Sequence, residues 1–144
     1  MAQPGTIKGG KVRLLLDIDG NGTYAAPCGL NSRSVTFGKG FETIQLSDCD
    51  NPDDLPWDAN DATSRNISVS GEGVFAVEAK DTWLSAWEST DSIACKLEIE
   101  WPANTDTFTG NMQIGPLEVG ATNGRRVTLT VNAVSDGEMV RTTA

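Results

Sequence analysis

The residues of this 144-residue chain best suited to chemistry are carboxylates, because the chain contains no histidine. Without imidazole there is no Ser-His-Asp triad, no Cys-His pair and no His-bearing zinc site. One acidic grouping, Asp17-Ile18-Asp19-Gly20-Asn21-Gly22, offers oxygens at its first, third and fifth positions and glycine at its sixth, as the opening of a calcium loop does. The twelfth position, where a bidentate glutamate would close such a loop, is Cys28, and no helical pattern flanks the run. A β-hairpin turn accounts for the same residues, since Asp, Asn and Gly supply left-handed backbone conformations. Asp17, Asp19 and Asn21 therefore stand as a calcium-like turn, and no metal is assigned.

Glu98 and Glu100 alternate on one strand face and form the second grouping. A hydrolytic pair would need a pocket in which one carboxylate titrates abnormally. The sequence supplies no third polar partner, and an exposed polar face explains the pair without a pocket. Cys28, Cys49 and Cys95 are odd in number, widely spaced and free of any C-x-x-C, so neither a disulfide framework nor a redox motif is indicated. The expectation is a protein that is not an enzyme and carries no cofactor.

Acidic residues outnumber basic ones by 20 to 11, giving a net charge of −9. Affinity for nucleic acid through phosphate neutralisation needs clustered Lys and Arg. The charge does not exclude a surface past which nucleic acid slides. No apolar run approaches the ~20 residues of a membrane span, and the opening MAQPGTIKGGKV lacks a signal-peptide core. The reading is a soluble protein made in a reducing compartment, with no membrane partner.

Short strands must position these groups. Residues 11–18 alternate, with Val12, Leu14, Leu16 and Ile18 on one side, and 23–28 read as an edge return strand. Residues 33–37 and 41–46 read as a hairpin about Gly38-Lys39-Gly40. The segment 47–65 changes character, with Asp48, Asp50, Asp53, Asp54, Asp58 and Asp61 around Leu55, Pro56 and Trp57, and reads as a long loop. A Trp in such a loop either anchors to a partner or folds back on its own domain. In 66–77, Gly71 and Gly73 signal a bulge or close backbone approach. A helix is expected over 80–89, with Trp83, Leu84 and Trp87 as its apolar stripe. Residues 93–101 alternate most clearly; 107–114 and 117–119 flank Gly115-Pro116, and 125–134 end the pattern. The fold class is mainly β: an antiparallel sandwich or barrel with one flanking α-helix. Residues 1–10 read as a mobile N-terminal arm and 11–144 as a single domain.

In layout, the chain resembles the tail tube proteins of long-tailed bacteriophages and related phage-like gene transfer particles, specifically the group called phage major tail protein 2, or TP901-1-type. The likeness runs through KVRLLLDIDGNGTYAAPCGLNSRSVTF, FETIQLSD, the Trp-bearing loop, NISVSGEGVF, the helix with Trp83 and Leu84, IACKLEIEW, FTGNMQIGPLEV and GRRVTLTVNAV. The resemblance implies a structural virion protein, made in the bacterial cytoplasm. Hexameric rings would stack into a hollow conduit through which DNA passes without specific binding. Tape measure, terminator and distal tail proteins are the implied partners. On this reading Lys96, Glu98, Glu100, Thr128 and Thr130 are lumen candidates. The loop residues Asp48, Asp50, Asp53, Asp54, Leu55, Trp57, Asp58 and Asp61 are candidates for contact with an adjacent subunit or ring. The alternative is a calcium-linked β-sandwich module binding carbohydrate or protein, and a carboxylate hydrolase is the third reading.

Overall fold

Alternation of apolar and polar side chains sets the strands of this chain, whose computed structural model describes residues 3–18 and 20–144. After a 3-10 turn at Gly9–Lys11 come β1 (Val12–Asp17), β2 (Leu30–Leu46) and β3 (Trp57–Val74). A second 3-10 turn, Val77–Ala79, leads into α1 (Lys80–Glu88). The chain then forms β4 (Ile93–Glu100), β5 (Thr105–Gly120), β6 (Thr128–Ser135) and β7 (Val140–Thr143). The seven strands join in one sheet, ordered β1-β4-β5-β6-β3-β2, with β7 paired to β5. The β1–β4, β4–β5, β5–β6, β5–β7 and β6–β3 pairings are antiparallel. The fold is thus mainly β with a single α-helix, and α1 provides the layer that a second sheet would supply in a sandwich.

Contacts divide the chain into two units: residues up to Thr36 together with Ile67–Ala144, and Phe37–Asn66. In the larger unit Leu14, Leu16, Val69, Cys95, Leu97, Met112, Leu129 and Val131 are buried with Ala79, Trp83 and Ala86 from the helical segment. Trp83 is fully buried, and its indole N–H has no acceptor among the described residues. That unmade bond costs about 1–3 kcal/mol. Burying roughly 150–250 Å² of indole at about 25 cal/mol per Å² outweighs it. The rest of the expected stripe is exposed: Trp87 is 58% exposed and Leu84 38%. Ala86 takes the inward position, because the face presented to the sheet runs through 79, 83 and 86.

Several expected boundaries move. β2 runs straight through Gly38-Lys39-Gly40 instead of turning there. A side chain at Gly38 would run into the Asn66 carboxamide, and one at Gly40 into the Ser64 hydroxyl, so these glycines permit close strand approach. Gly73 meets the Gly29 and Leu30 backbone in the same way, as the paired glycines suggested. The loop is shorter than 47–65, since β3 starts at Trp57. Residues 23–28 make only an isolated bridge, Leu16 to Ala25. Gly115-Pro116 lies inside β5 as a register shift rather than between two strands. The polar tail contributes β7.

Two expectations follow. Leu97→Ala should cost about 2–5 kcal/mol in denaturant unfolding, and Trp87→Ala under about 1. Cys28 and Cys49 are exposed, while burial pushes the Cys95 thiol up to about 12. Native protein should therefore react with a thiol reagent at Cys28 and Cys49 only, with Cys95 joining after unfolding. Because the unfolded thiol ionises first, stability should fall as pH rises from 9.0 toward about 12.

Candidate functional site

Directly paired residues of an antiparallel ladder share a face. On β4 the polar side chains Lys96, Glu98 and Glu100 alternate with the buried Cys95 and Leu97. The register sets Arg13 beside Glu98 and Leu15 beside Lys96 on one flank. Thr105, Thr107 and Thr109 lie on the other. On β6, Thr128 and Thr130 alternate with the buried Leu129 and Val131 and pair with Val74 and Glu72 of β3. The five lumen candidates read from sequence thus occupy the polar face of one sheet.

Glu98 and Glu100 pair with cations from the neighbouring edge strand and from the 3-10 turn before it. Arg13 Nη2 lies 2.5 Å from Glu98 Oε1 and 3.4 Å from Glu100 Oε2, and Lys11 Nζ lies 3.7 Å from Glu100 Oε1. Such solvent-exposed pairs contribute only about 0–1 kcal/mol each. Both carboxylates are thus engaged by cations from the neighbouring segment. Elsewhere on this face Ser34, Ser68, Ser70 and Asn132 line a depression of about 210 Å³. It contains no acid and falls below the roughly 300–1,000 Å³ of ligand pockets.

The calcium-like turn spends its oxygens on its own backbone. Asp17 is buried; its Oδ1 accepts the N–H groups of Gly20 at 2.9 Å and Asn21 at 3.3 Å, and its Oδ2 that of Gly22 at 2.9 Å. Asn21 Oδ1 accepts the Thr23 N–H at 2.9 Å. Asp19 lies outside the described residues. Among the described residues no cluster of three potential ligands could hold a metal.

The Phe37–Asn66 unit carries the other candidates. Asp48, Asp50, Asp53, Asp54 and Leu55 lie in the connection 47–56, Trp57 opens β3, and Asp58 and Asp61 follow on that strand; all are exposed. The connection is shaped by Asp48 Oδ1 accepting the Asp50 N–H at 2.9 Å and by an Asp54 N–H to Asn51 carbonyl bond of 3.1 Å. Thr43 Oγ1 donates to Asn60 Oδ1 across the two strands at 2.8 Å. Trp57 is 86% exposed and Leu55 91%, and Phe41, Ile44 and Leu46 are exposed as well. The indole is not folded into a core. Seven acidic residues face only Lys39 and Arg65 within this unit.

One constellation is not visible in the sequence. Asp106 accepts Thr143 Oγ1 at 2.6 Å and Trp101 Nε1 at 2.9 Å, with Arg141 Nη2 at 3.4 Å. The Thr143 hydroxyl holds its carboxyl below the usual range, against partial desolvation and with help from Trp101 and Arg141. Asp106 thereby ties β7 to β5. Arg141 and Thr143 lie 35 and 37 residues away in a tail with no apolar alternation.

With this geometry in view, residues 6–141 match the family described as phage tail tube protein. A search of curated proteins gives no match. Among solved structures, the tail of an empty gene transfer agent particle, refined with C6 symmetry, is 15% identical with TM-score 0.80, covering 95% of this chain and 99% of that one. A chain of the native gene transfer agent virion is 15% identical with TM-score 0.77 over 95% of this chain and 99% of that one. The SPP1 tail tube chain is 14% identical with TM-score 0.67 over 96% of this chain and 80% of that one.

Because Asp106 is more acidic in the folded chain, its contribution is present above the ordinary value of 3.8 and is lost as pH falls through the depressed one. Asp106→Asn at neutral pH should mimic that loss locally. Hydrogen exchange should show faster amides across Val140–Thr143 and unchanged protection in β4. Equal loosening of both strands would refute a local tie.

Proposed function

The chain belongs to the family of phage tail tube proteins, and from that premise we propose that its copies join edge to edge into six-membered rings that stack into a hollow conduit for DNA. The protein is a structural component of a virion tail tube or a phage-like particle. The observation that carries the ring is the pair of open sheet edges. Among the described residues β1 pairs with β4 on one side and carries only the isolated Leu16–Ala25 bridge on the other, and in the sheet β2 pairs only with β3. Open edges invite further pairing and are normally blunted. A rotation that brings β1 of one copy beside β2 of the next uses both edges, and such a heterologous contact closes into a ring. The C6 symmetry of the gene transfer agent tail supports six copies.

The polar face then lines the channel, with Lys96, Glu98, Glu100, Thr128 and Thr130 directed at the lumen. The Phe37–Asn66 unit reaches a neighbouring subunit or ring, with Trp57 and Leu55 as anchors and the acidic residues as its polar rim. Exposed apolar side chains without a core of their own need a partner surface. Residues 3–8, which lack regular structure, are assigned to contacts made on assembly. Tape measure, terminator and distal tail proteins would complete the tail. The calcium-linked module gains no support from Asp17, whose oxygens are occupied by amides.

Electron microscopy of concentrated protein should show stacked rings or tubes. Replacing residues 48–56 by a short turn should leave a folded chain that forms none, and normal tubes from that deletion would refute the role of the arm. In a Cys28→Ser/Cys49→Ser background, Thr130→Cys in tubes should react with a small maleimide but not with one too bulky for the channel. Reaction with the bulky reagent would overturn the channel assignment.

A further inference from the structure

On the polar face of the described sheet, each basic side chain already has a partner. Arg13 bridges Glu98 and Glu100, Lys11 pairs with Glu100, and the Lys96 ammonium lies 4.4 Å from the centroid of the Tyr24 ring. Arg125 and Arg126, in the connection between β5 and β6, are exposed and take part in no ion pair among the described residues. The contrast sets this face apart from the rest of the surface. Exposed ion pairs add little to folding, so the consequence of the ladder lies in how charge is presented.

We propose that Glu98 and Glu100 mask Arg13 and Lys11 against phosphate, so that duplex DNA finds neither of these two cations free on this face. The role in transit rests on reading this face as the channel side. Binding of a cation to DNA is driven by release of counterions condensed on the phosphates. A phosphate arriving at Arg13 must displace a carboxylate that stays tethered beside it and repels the newcomer. Beyond the ladder the face presents hydroxyls, Thr105, Thr107, Thr109 and Thr130 among them, which bind water and carry no charge. The ring of Tyr24 does not neutralise Lys96, but it fixes the ammonium against the wall.

The test uses the unassembled full-length chain and a short fluorescent duplex DNA, followed by anisotropy at low salt. Glu98→Gln/Glu100→Gln should bind at least ~10-fold more tightly than the parent chain, with affinity falling as salt rises. Each single substitution should give a smaller gain, which guards against a misfolded double variant. Adding Arg13→Gln should abolish the gain, and adding Arg125→Gln/Arg126→Gln should not. Asp53→Asn/Asp54→Asn alters net charge equally but lies in the other unit, and should bind as the parent does. Parental binding by the carboxamide variants, an equal gain in the Asp53/Asp54 control, or indifference to Arg13→Gln would overturn the proposal. The Thr130→Cys labelling reports on the channel assignment alone, so the two failures are distinguishable.

Discussion

A strand sends successive side chains to opposite faces, and this period of two binds the core and the polar face of this protein into a single decision. Burying Cys95 and Leu97 in the core leaves Lys96, Glu98 and Glu100 no place but the other side. The same holds on β6, where the buried Leu129, Val131 and Ala133 direct Thr130 and Asn132 outward. A one-residue slip of β4 would bury Glu98 and expose Leu97, exchanging both faces at once. The hydrophobic core thus fixes the register, and the register assembles the ion-pair ladder from β1 and β4. The sheet leaves its outer strands with mostly unpaired backbone on one side, and these are the groups that the proposed ring would pair.

The sequence was legible where one face is buried. β4 and β6 show in their apolar spacing, because solvent lies on one side of each; α1 shows as a helix, but Leu84 and Trp87 of its expected stripe are exposed. It was opaque where both faces are wet. The start of β3, WDANDATSR, carries no alternation to read, so Trp57, Asp58 and Asp61 read as loop when they belong to a strand. β7 was hidden for the same reason. Gly38 and Gly40 misled differently: glycine serves turns and close strand approach alike, and only the distant Asn66 and Ser64 decide between them. At the candidate site, the shared face of Glu98 and Glu100 could be read from their spacing. Their cationic partners could not, because Arg13 lies 85 residues from Glu98 and meets it only through strand pairing. Asp106 was missed on the same ground.

The net charge of −9 takes on a different meaning once it is placed. The Phe37–Asn66 unit holds seven acidic residues, Glu42 and six aspartates, against Lys39 and Arg65. The polar face of the sheet is close to balanced, with Lys11, Arg13 and Lys96 set against Glu72, Glu98, Glu100 and Glu118. The acidity that argued against nucleic-acid affinity is therefore concentrated on the unit proposed to contact other copies. If the sheet face is the channel side, as proposed, a different property would have to keep it from holding phosphate.

Repetition supplies the reason that property matters at single residues. An exposed charge pair at 4 Å is worth about 1 kcal/mol in water, small enough to ignore in one chain. In a stack of rings the same group recurs along a continuous polymer, and weak linked contacts multiply into strong retention. A single unmasked arginine per copy would then be multiplied along the conduit. The arrangement that avoids this is one in which each cation is neutralised or pinned within its own subunit, before any neighbour arrives. Arg13 between Glu98 and Glu100 has that arrangement, set by the β1–β4 register rather than by assembly.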